Sequence, residues 1–164
     1  IEYFNQHPEV KLVIAPHVID ENHLVEIIRK LKRPYVRYTR ADEKNVRKAD
    51  CLIVDCFGLL SSIYRYGEIA YIGGGFGVGI HNTLEAAVYG IPVIFGPKYQ
   101  KFQEAVQLLE AKGAFSVKDY EELKTLLDRM LTDEVFLRES GMNASNYVTG
   151  NAGATDKIMS MINF

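Results

Sequence analysis

The sequence predicts an α/β fold: a doubly wound, mostly parallel sheet of about six strands flanked by helices. Two observations carry that expectation. Short apolar runs without polar alternation recur along the chain, as in strands covered by helices on both faces. Between them, apolar residues return at three- and four-residue spacing, the periodicity of amphipathic helices. With 164 residues, 48% hydrophobic and 24% charged, the chain is long enough to bury the core of one such domain.

The chain starts at Ile1, without a methionine, on what reads as the tail of a helix from Glu2 to His7. It is therefore expected to be a piece excised from a longer protein. The first strand is expected at Leu12–Ala15. Leu24, Ile27, Ile28 and Leu31 then share one helix face. A weaker strand candidate covers Tyr35–Thr39, and firmer ones cover Leu52–Val54, Ile69–Ile72 and Val93–Phe95. Phe102, Val106 and Leu109 mark the next helix, and Ala114–Val117 a last, weaker strand. Asp119 is placed as an N-cap, followed at helical spacing by Tyr120, Leu123, Leu126, Leu127, Met130 and Leu131. After Asp133 the pattern is helical, breaks near Gly150 to Gly153 and resumes from Asp156 to Ile162. No internal repeat, linker or low-complexity stretch divides the sequence, so one domain over residues 1–164 is expected.

Composition narrows the function classes. Nineteen basic against 21 acidic side chains give a net charge of −2, which argues against nucleic-acid binding by bulk charge. No apolar run approaches the ~18 residues of a membrane span, and no basic-then-apolar signal segment leads the chain. Cys51 and Cys56 match no zinc spacing and are expected as buried, reduced thiols, which implies a reducing, cytosolic setting. His7 and His23 read as solvated, and His17, His23 and His81 have no metal-ligand spacing. The window from Arg29 to Lys48 holds nine basic residues (Arg29, Lys30, Lys32, Arg33, Arg37, Arg40, Lys44, Arg47, Lys48) against Asp42 and Glu43. It suits either a solvated helix end and loop or a surface facing anionic lipid or phosphate.

Five of the 13 glycines fall between Gly73 and Gly79, in Ile72-Gly-Gly-Gly-Phe-Gly-Val-Gly-Ile80. They follow the fourth strand and precede a helix, at the carboxyl end of the sheet where open α/β folds hold ligands. Such a loop lets a backbone approach a ligand and offers N–H groups to a phosphate, although tight strand-to-helix turns need glycine in any case. It is not a P-loop, since no Gly-x-x-x-x-Gly-Lys-Ser/Thr occurs. Nor is it a nicotinamide fingerprint, because it follows the fourth strand and Tyr99, twenty residues beyond Gly79, is not acidic. His81-Asn82-Thr83-Leu84-Glu85 comes next. Asn82 with Glu85 resembles a capping box. Equally, Glu85 can accept from ribose hydroxyls while Asn82 and the helix start hold a phosphate. Both readings stand on local chemistry.

Taken together, Gly73–Pro97 resembles the donor-nucleotide domain of the GT-B glycosyltransferases, specifically the 3-deoxy-D-manno-octulosonic acid (Kdo) transferases of lipopolysaccharide synthesis. Leu12-Val-Ile-Ala-Pro-His17, Phe57-Gly-Leu-Leu60 and Phe102 agree with that family's first strand and loop, its Met-Gly-Glu-Leu segment and its Asn-Phe pair. The resemblance runs from about Lys11 to Leu131 and implies a Rossmann-like fold, the C-terminal half of GT-B. It implies transfer of Kdo from CMP-Kdo to a lipid A precursor, releasing CMP, with no cofactor, no metal and no nucleic acid. By motif, Pro16 and His17 would contact the CMP moiety; Phe57, Gly58 and Leu59 would lie along base and ribose. Gly79, His81, Asn82, Thr83, Leu84 and Glu85 would line the donor site, the last four binding phosphate and ribose. The chain departs from the family where Ala15-Pro16-His17-Val18 replaces Ala-Pro-Arg-His, where Leu59 replaces a glutamate, and where Lys101 precedes Phe102 in place of asparagine. In the family the catalytic base and the acceptor site belong to an N-terminal domain, so this chain is expected to hold no catalytic residue. The whole protein is expected at the cytoplasmic face of the Gram-negative inner membrane. A UDP-sugar GT-B transferase, a sugar epimerase domain and a non-catalytic nucleotide-binding module are the alternatives.

Overall fold

In the computed structural model, which describes residues 1–77, 79–153 and 159–160, strands and helices alternate as the periodicity predicts. The chain divides into two compact units, Ile1–Ser62 and Ile63–Phe164. Each has its own three-stranded parallel sheet. The single six-stranded sheet expected from the sequence is thus replaced by two sheets of three.

The first unit runs α1 (Glu2–Gln6), β1 (Leu12–Ile14), α2 (Glu21–Lys30), β2 (Tyr35–Arg37) and α3 (Glu43–Val46), then β3 (Cys51–Ile53); α4 (Leu60–Ile63) carries the chain onward. β3 lies in the middle, pairing Cys51 with both Leu12 and Tyr35, and Ile53 with both Ile14 and Arg37. Cys51 and Ile53 of the middle strand are buried, as is Val36 of β2, while Val13 of edge strand β1 is 48% exposed. The apolar run at Leu12–Ala15 therefore does not mark a strand covered on both faces. Phe4, Leu24, Ile27, Cys51 and Ile53 form the core of this unit, with Ile28 and Leu31 packed against it. That is the helix face read from the sequence. The expected strand Tyr35–Thr39 ends at Arg37, and a 3-10 turn, Tyr38–Arg40, follows.

Two arginines of the basic window are consumed by this unit. The Arg33 guanidinium donates to the carbonyls of Phe4, His7, Pro8 and Val10 at 2.8–2.9 Å, and lies 4.0 Å over the Phe4 ring. It thereby closes the C-terminal end of α1, where carbonyls lack helical partners. Arg37 Nε donates to Asp55 at 2.7 Å, and its Nη1 reaches Glu21 at 2.8 Å. Asp55 also accepts from the Thr39 hydroxyl at 2.6 Å and the Thr39 amide at 2.9 Å. The other seven basic residues of the window are exposed. His7 is not merely solvated, for its ring stacks on Tyr3 at 3.7 Å. Cys51 is buried and its thiol is pushed up to about 12 by desolvation, whereas Cys56 is only half-buried, against expectation.

The second unit runs β4 (Ala70–Tyr71), α5 (Leu84–Ala87), β5 (Val93–Phe95), α6 (Gln103–Glu110), β6 (Ala114–Ser116), α7 (Tyr120–Thr132) and α8 (Glu134–Asn151). β5 is central, pairing Val93 with Ala70 and Ala114. Val93, Ile94 and Phe95 are fully buried, the one strand that matches the two-face expectation throughout; Tyr71 of edge strand β4 is 48% exposed. Asp119 caps α7 by accepting from the Glu122 amide at 2.9 Å. α6 starts one residue after Phe102, which serves as its N-cap, and buries Ala105 and Leu108 in place of the predicted Val106. α8 ends at Asn151, where the glycines predicted a break. The expected renewal from Asp156 to Ile162 falls mostly outside the described residues. No helix among the described residues is long and apolar enough to cross a membrane.

The Asp55 cluster makes a prediction about acid stability. Burial alone would raise this carboxyl, but the Thr39 hydroxyl and amide and the Arg37 guanidinium outweigh it and hold the acid down at about 2. Its folded value lies below the unfolded ~3.9, so its contribution is full above pH 4 and lost as pH falls through about 2. That contribution is on the order of 2–3 kcal/mol. Asp55→Asn should cost about 3 kcal/mol at neutral pH by breaking a buried charged pair. In urea titrations at stepped pH, the parent should weaken between pH 4 and 2, and the variant should show a flatter profile.

Candidate functional site

The residues singled out by sequence divide between the two units. On the first, Pro16 and His17 occupy the loop after β1, half-buried and exposed respectively; Phe57, Gly58 and Leu59 occupy the loop after β3. Both loops leave the carboxyl ends of parallel strands, where open α/β sheets hold ligands. Phe57 is 83% exposed, an apolar ring left without a protein surface to cover it. Two residues before it stands Asp55, whose side chain is 1% exposed and is held by Thr39 and Arg37. The carboxylate fixes the point from which the Cys56–Leu59 loop departs. Asp55 and Arg37 were missed as site-shaping residues; the available signal was an acid closing an apolar strand, Leu52-Ile-Val-Asp55.

On the second unit the glycine loop folds on itself. The Gly75 amide donates to the Gly79 carbonyl at 2.8 Å, and the His81 amide to the Gly73 carbonyl at 3.3 Å. Gly74 and Ile80 form an isolated antiparallel bridge. The loop also presses on the segment after β5, where the Lys98 amide donates to the Gly75 carbonyl at 2.8 Å. Gly75 has φ +73, and a Cβ on it would stand 2.7 Å from the Gly96 Cα. Only glycine satisfies both demands at once. A Cβ on Gly79 would lie 2.8 Å from the Phe102 ring, so Phe102, the aromatic of the family resemblance, packs on the bare Gly79 backbone. The glycines therefore act first as packing residues, and the Gly75 N–H is already engaged by the Gly79 carbonyl.

The following segment brings Asn82, Thr83, Leu84 and Glu85 together. Asn82 Oδ1 accepts from the Leu84 amide at 3.0 Å, and its Nδ2 donates to Glu85 Oε1 at 2.9 Å. This is the capping arrangement in a modified form: Glu85 reaches the Asn82 side chain, and Thr83 takes the N-cap position of α5. α5 has four residues, so its dipole is far smaller than the sequence reading assumed. Glu85 is half-buried, and its Oε2 has no hydrogen-bond partner among the described residues. Its charge, after burial, raises the nearby Tyr64 hydroxyl. Thr83 is 1% exposed, and its hydroxyl is buried without a partner. His81 is exposed beside Gly73. Among the described residues no three His, Cys, Asp or Glu side chains gather as a metal-ligand set.

Two substitutions test this packing. Thr83→Val removes an unsatisfied hydroxyl at equal volume and should raise stability by up to about 1 kcal/mol in chemical denaturation. Gly75→Ala meets both a positive φ and the Gly96 backbone, and should cost more than about 2 kcal/mol. A neutral result at Gly75 would mean that the two loops are not in contact.

No family model matches the chain. The 3-deoxy-D-manno-octulosonic acid transferase of Aquifex aeolicus is 38% identical over 125 residues, 75% of this chain and 34% of that protein. The transferase of the same name from Rickettsia bellii is 33% identical over 69% of this chain and 28% of its own length. A bifunctional glycosyltransferase/methyltransferase of Fusobacterium nucleatum is 29% identical over 90% of this chain and 25% of its own length. The chain thus spans about a third or less of the curated relatives it matches. Among solved structures, the C-terminal CMP-Kdo binding domain of WaaA from Acinetobacter baumannii matches with a TM-score of 0.75 at 19% identity, over 90% of this chain and 78% of that one. The fold is accordingly the Rossmann-like α/β fold of that domain, and by sequence the chain is a relative of the 3-deoxy-D-manno-octulosonic acid transferases.

Proposed function

We propose that this chain is the donor-binding part of a glycosyltransferase that moves Kdo from CMP-Kdo to a lipid A precursor and releases CMP. The observation that carries the proposal is the Asn82–Glu85 pair. Asn82 orients Glu85 through one carboxylate oxygen and leaves Oε2 to accept from the ribose hydroxyls. The backbone N–H groups of Thr83 and Leu84 then face the phosphate, with Asn82 Oδ1 yielding the Leu84 amide when the nucleotide enters. The leaving group is a phosphate monoester, so negative charge grows on phosphate as the glycosidic bond breaks, and fixed N–H donors stabilise it without reorganisation.

For the first unit, taken by itself, the family resemblance assigns Phe57, with its exposed ring, to the base, and Gly58 and Leu59 to the ribose. The same resemblance assigns Pro16 and His17 to the CMP moiety, with His17 standing where the family has arginine. Gly79 and His81 flank the Asn82–Glu85 segment. No residue of this chain is given the role of catalytic base. The acceptor, and contact with the cytoplasmic face of the inner membrane, are assigned to the part of such proteins that lies outside these 164 residues.

Calorimetric titration with CMP, UMP and UDP tests the reading, with CMP expected to bind most tightly. UDP binding ahead of CMP would replace it with a UDP-sugar enzyme. Glu85→Gln keeps an acceptor for Asn82 but removes the charge offered to ribose, and should weaken CMP at least tenfold, in line with the ~1.5–3 kcal/mol of hydrogen bonds to charged groups. An unchanged affinity would reduce Glu85 to a capping residue.

A further inference from the structure

One side chain of the first unit joins both of the loops assigned to the nucleotide. Arg37, the last residue of β2, donates from Nε to Asp55 Oδ2 at 2.7 Å and from Nη1 to the two Glu21 carboxylate oxygens at 2.8 and 3.0 Å. Asp55 opens the loop that carries Phe57, Gly58 and Leu59. Glu21 is the first residue of α2, directly after the N-cap Asp20 that ends the Pro16–His17 loop. A guanidinium is planar and rigid, so donors on two of its edges hold their acceptors at a set separation. A lysine ammonium, a point charge on a flexible stem, would hold one carboxylate without fixing the other.

The two ends of this tie differ in depth. At the inner end Asp55 is buried, and the Thr39 amide and hydroxyl join Arg37 in satisfying it. At the outer end the Arg37 side chain is 13% exposed and that of Glu21 65%, and ion pairs open to solvent add little to stability. Leu24 and Ile27 already seat the body of α2 on the core. What the Glu21 contact adds is a position for the first turn of α2, and with it the end of the loop that precedes it. The loop after β3 has a similar need. Phe57 is exposed, and a Cβ on Gly58 would meet no atom within 4 Å, so the tip of that loop takes its position from its base at Asp55.

We propose that Arg37 is a positioning residue for the nucleotide: from the end of β2 it ties the loop after β1 to the loop after β3 and fixes the spacing at which they receive CMP. This rests on the CMP-Kdo reading above and adds to it the contacts that preorganise the two loops of the first unit. Arg37 acts through Glu21 and Asp55 and does not itself touch the ligand.

The test compares the parent chain with Glu21→Ala and Glu21→Gln, by calorimetry with CMP and by ¹⁵N NMR without ligand. Glu21→Ala cuts the tie at its exposed end and leaves the donors of Asp55 in place. Its urea midpoint should stay near the parent's, while the amides of residues 56–59, on the other loop, should shift. CMP should bind roughly fivefold more weakly, the cost of ordering loop side chains at binding. Removing an acid from the neighbourhood of an anion would by charge alone strengthen CMP binding, so the sign of the change separates a tie from plain electrostatics. Glu21→Gln keeps an acceptor for Arg37 Nη1 and should recover most of the loss. Unchanged or tighter CMP binding by Glu21→Ala would overturn the proposal, as would unmoved amides at residues 56–59; either result leaves the CMP reading standing. A parent chain that binds no CMP would overturn that reading and the proposal with it.

Discussion

The candidate site depends on one close approach between backbones. The glycine loop after β4 and the turn after β5 meet where Gly75 stands against Gly96, at a separation that admits no side chain on Gly75. The bond from the Lys98 amide to the Gly75 carbonyl locks that contact. β5 beneath it is buried throughout, so the turn it leads into has little freedom to move. From this contact follow the seat of Phe102 on Gly79 and the position of Asn82–Glu85. Glycine richness here is a requirement of packing first. Any recognition of a ligand is built on the loop that packing has fixed.

A buried charge does the corresponding work in the first unit. Asp55 closes β3, and every hydrogen bond it accepts comes from β2 or the turn after it. A desolvated carboxylate is tolerated because three donors converge on it. The exposed Phe57 two residues on begins from an anchored point. The same network explains part of the basic window between Arg29 and Lys48. Arg33 and Arg37 face inward to carbonyls and carboxylates, so only the remaining exposed cations can meet an external partner.

Much of this was legible in the sequence, for reasons that can be named. Strand positions were readable because Val93–Phe95 and Cys51–Ile53 are central and buried, and burial imprints apolar runs. The Asp119 cap and the stop near Gly150 were readable because capping chemistry is local. The division into two sheets was not legible, because edge strands such as Leu12–Ile14 and Ala70–Tyr71 carry the same short apolar signature without double-sided cover. Asp55 was overlooked because its partners, Arg37 and Thr39, lie 16 to 18 positions away in sequence. The Asn82–Glu85 motif was found, but its two readings converge in space: the pair caps a short helix and still exposes a carboxylate oxygen. Spacing alone could not separate those roles.

The central claim is that a cytidine nucleotide binds at the segment after the glycine loop. A crystal structure of the chain soaked with CMP tests it most directly. The account predicts electron density for the nucleotide with a ribose hydroxyl within hydrogen-bonding distance of Glu85, and with the Leu84 amide released from Asn82 toward the phosphate. CMP seated away from residues 79–85, or Asn82 and Glu85 unchanged beneath an ordered nucleotide, would contradict it.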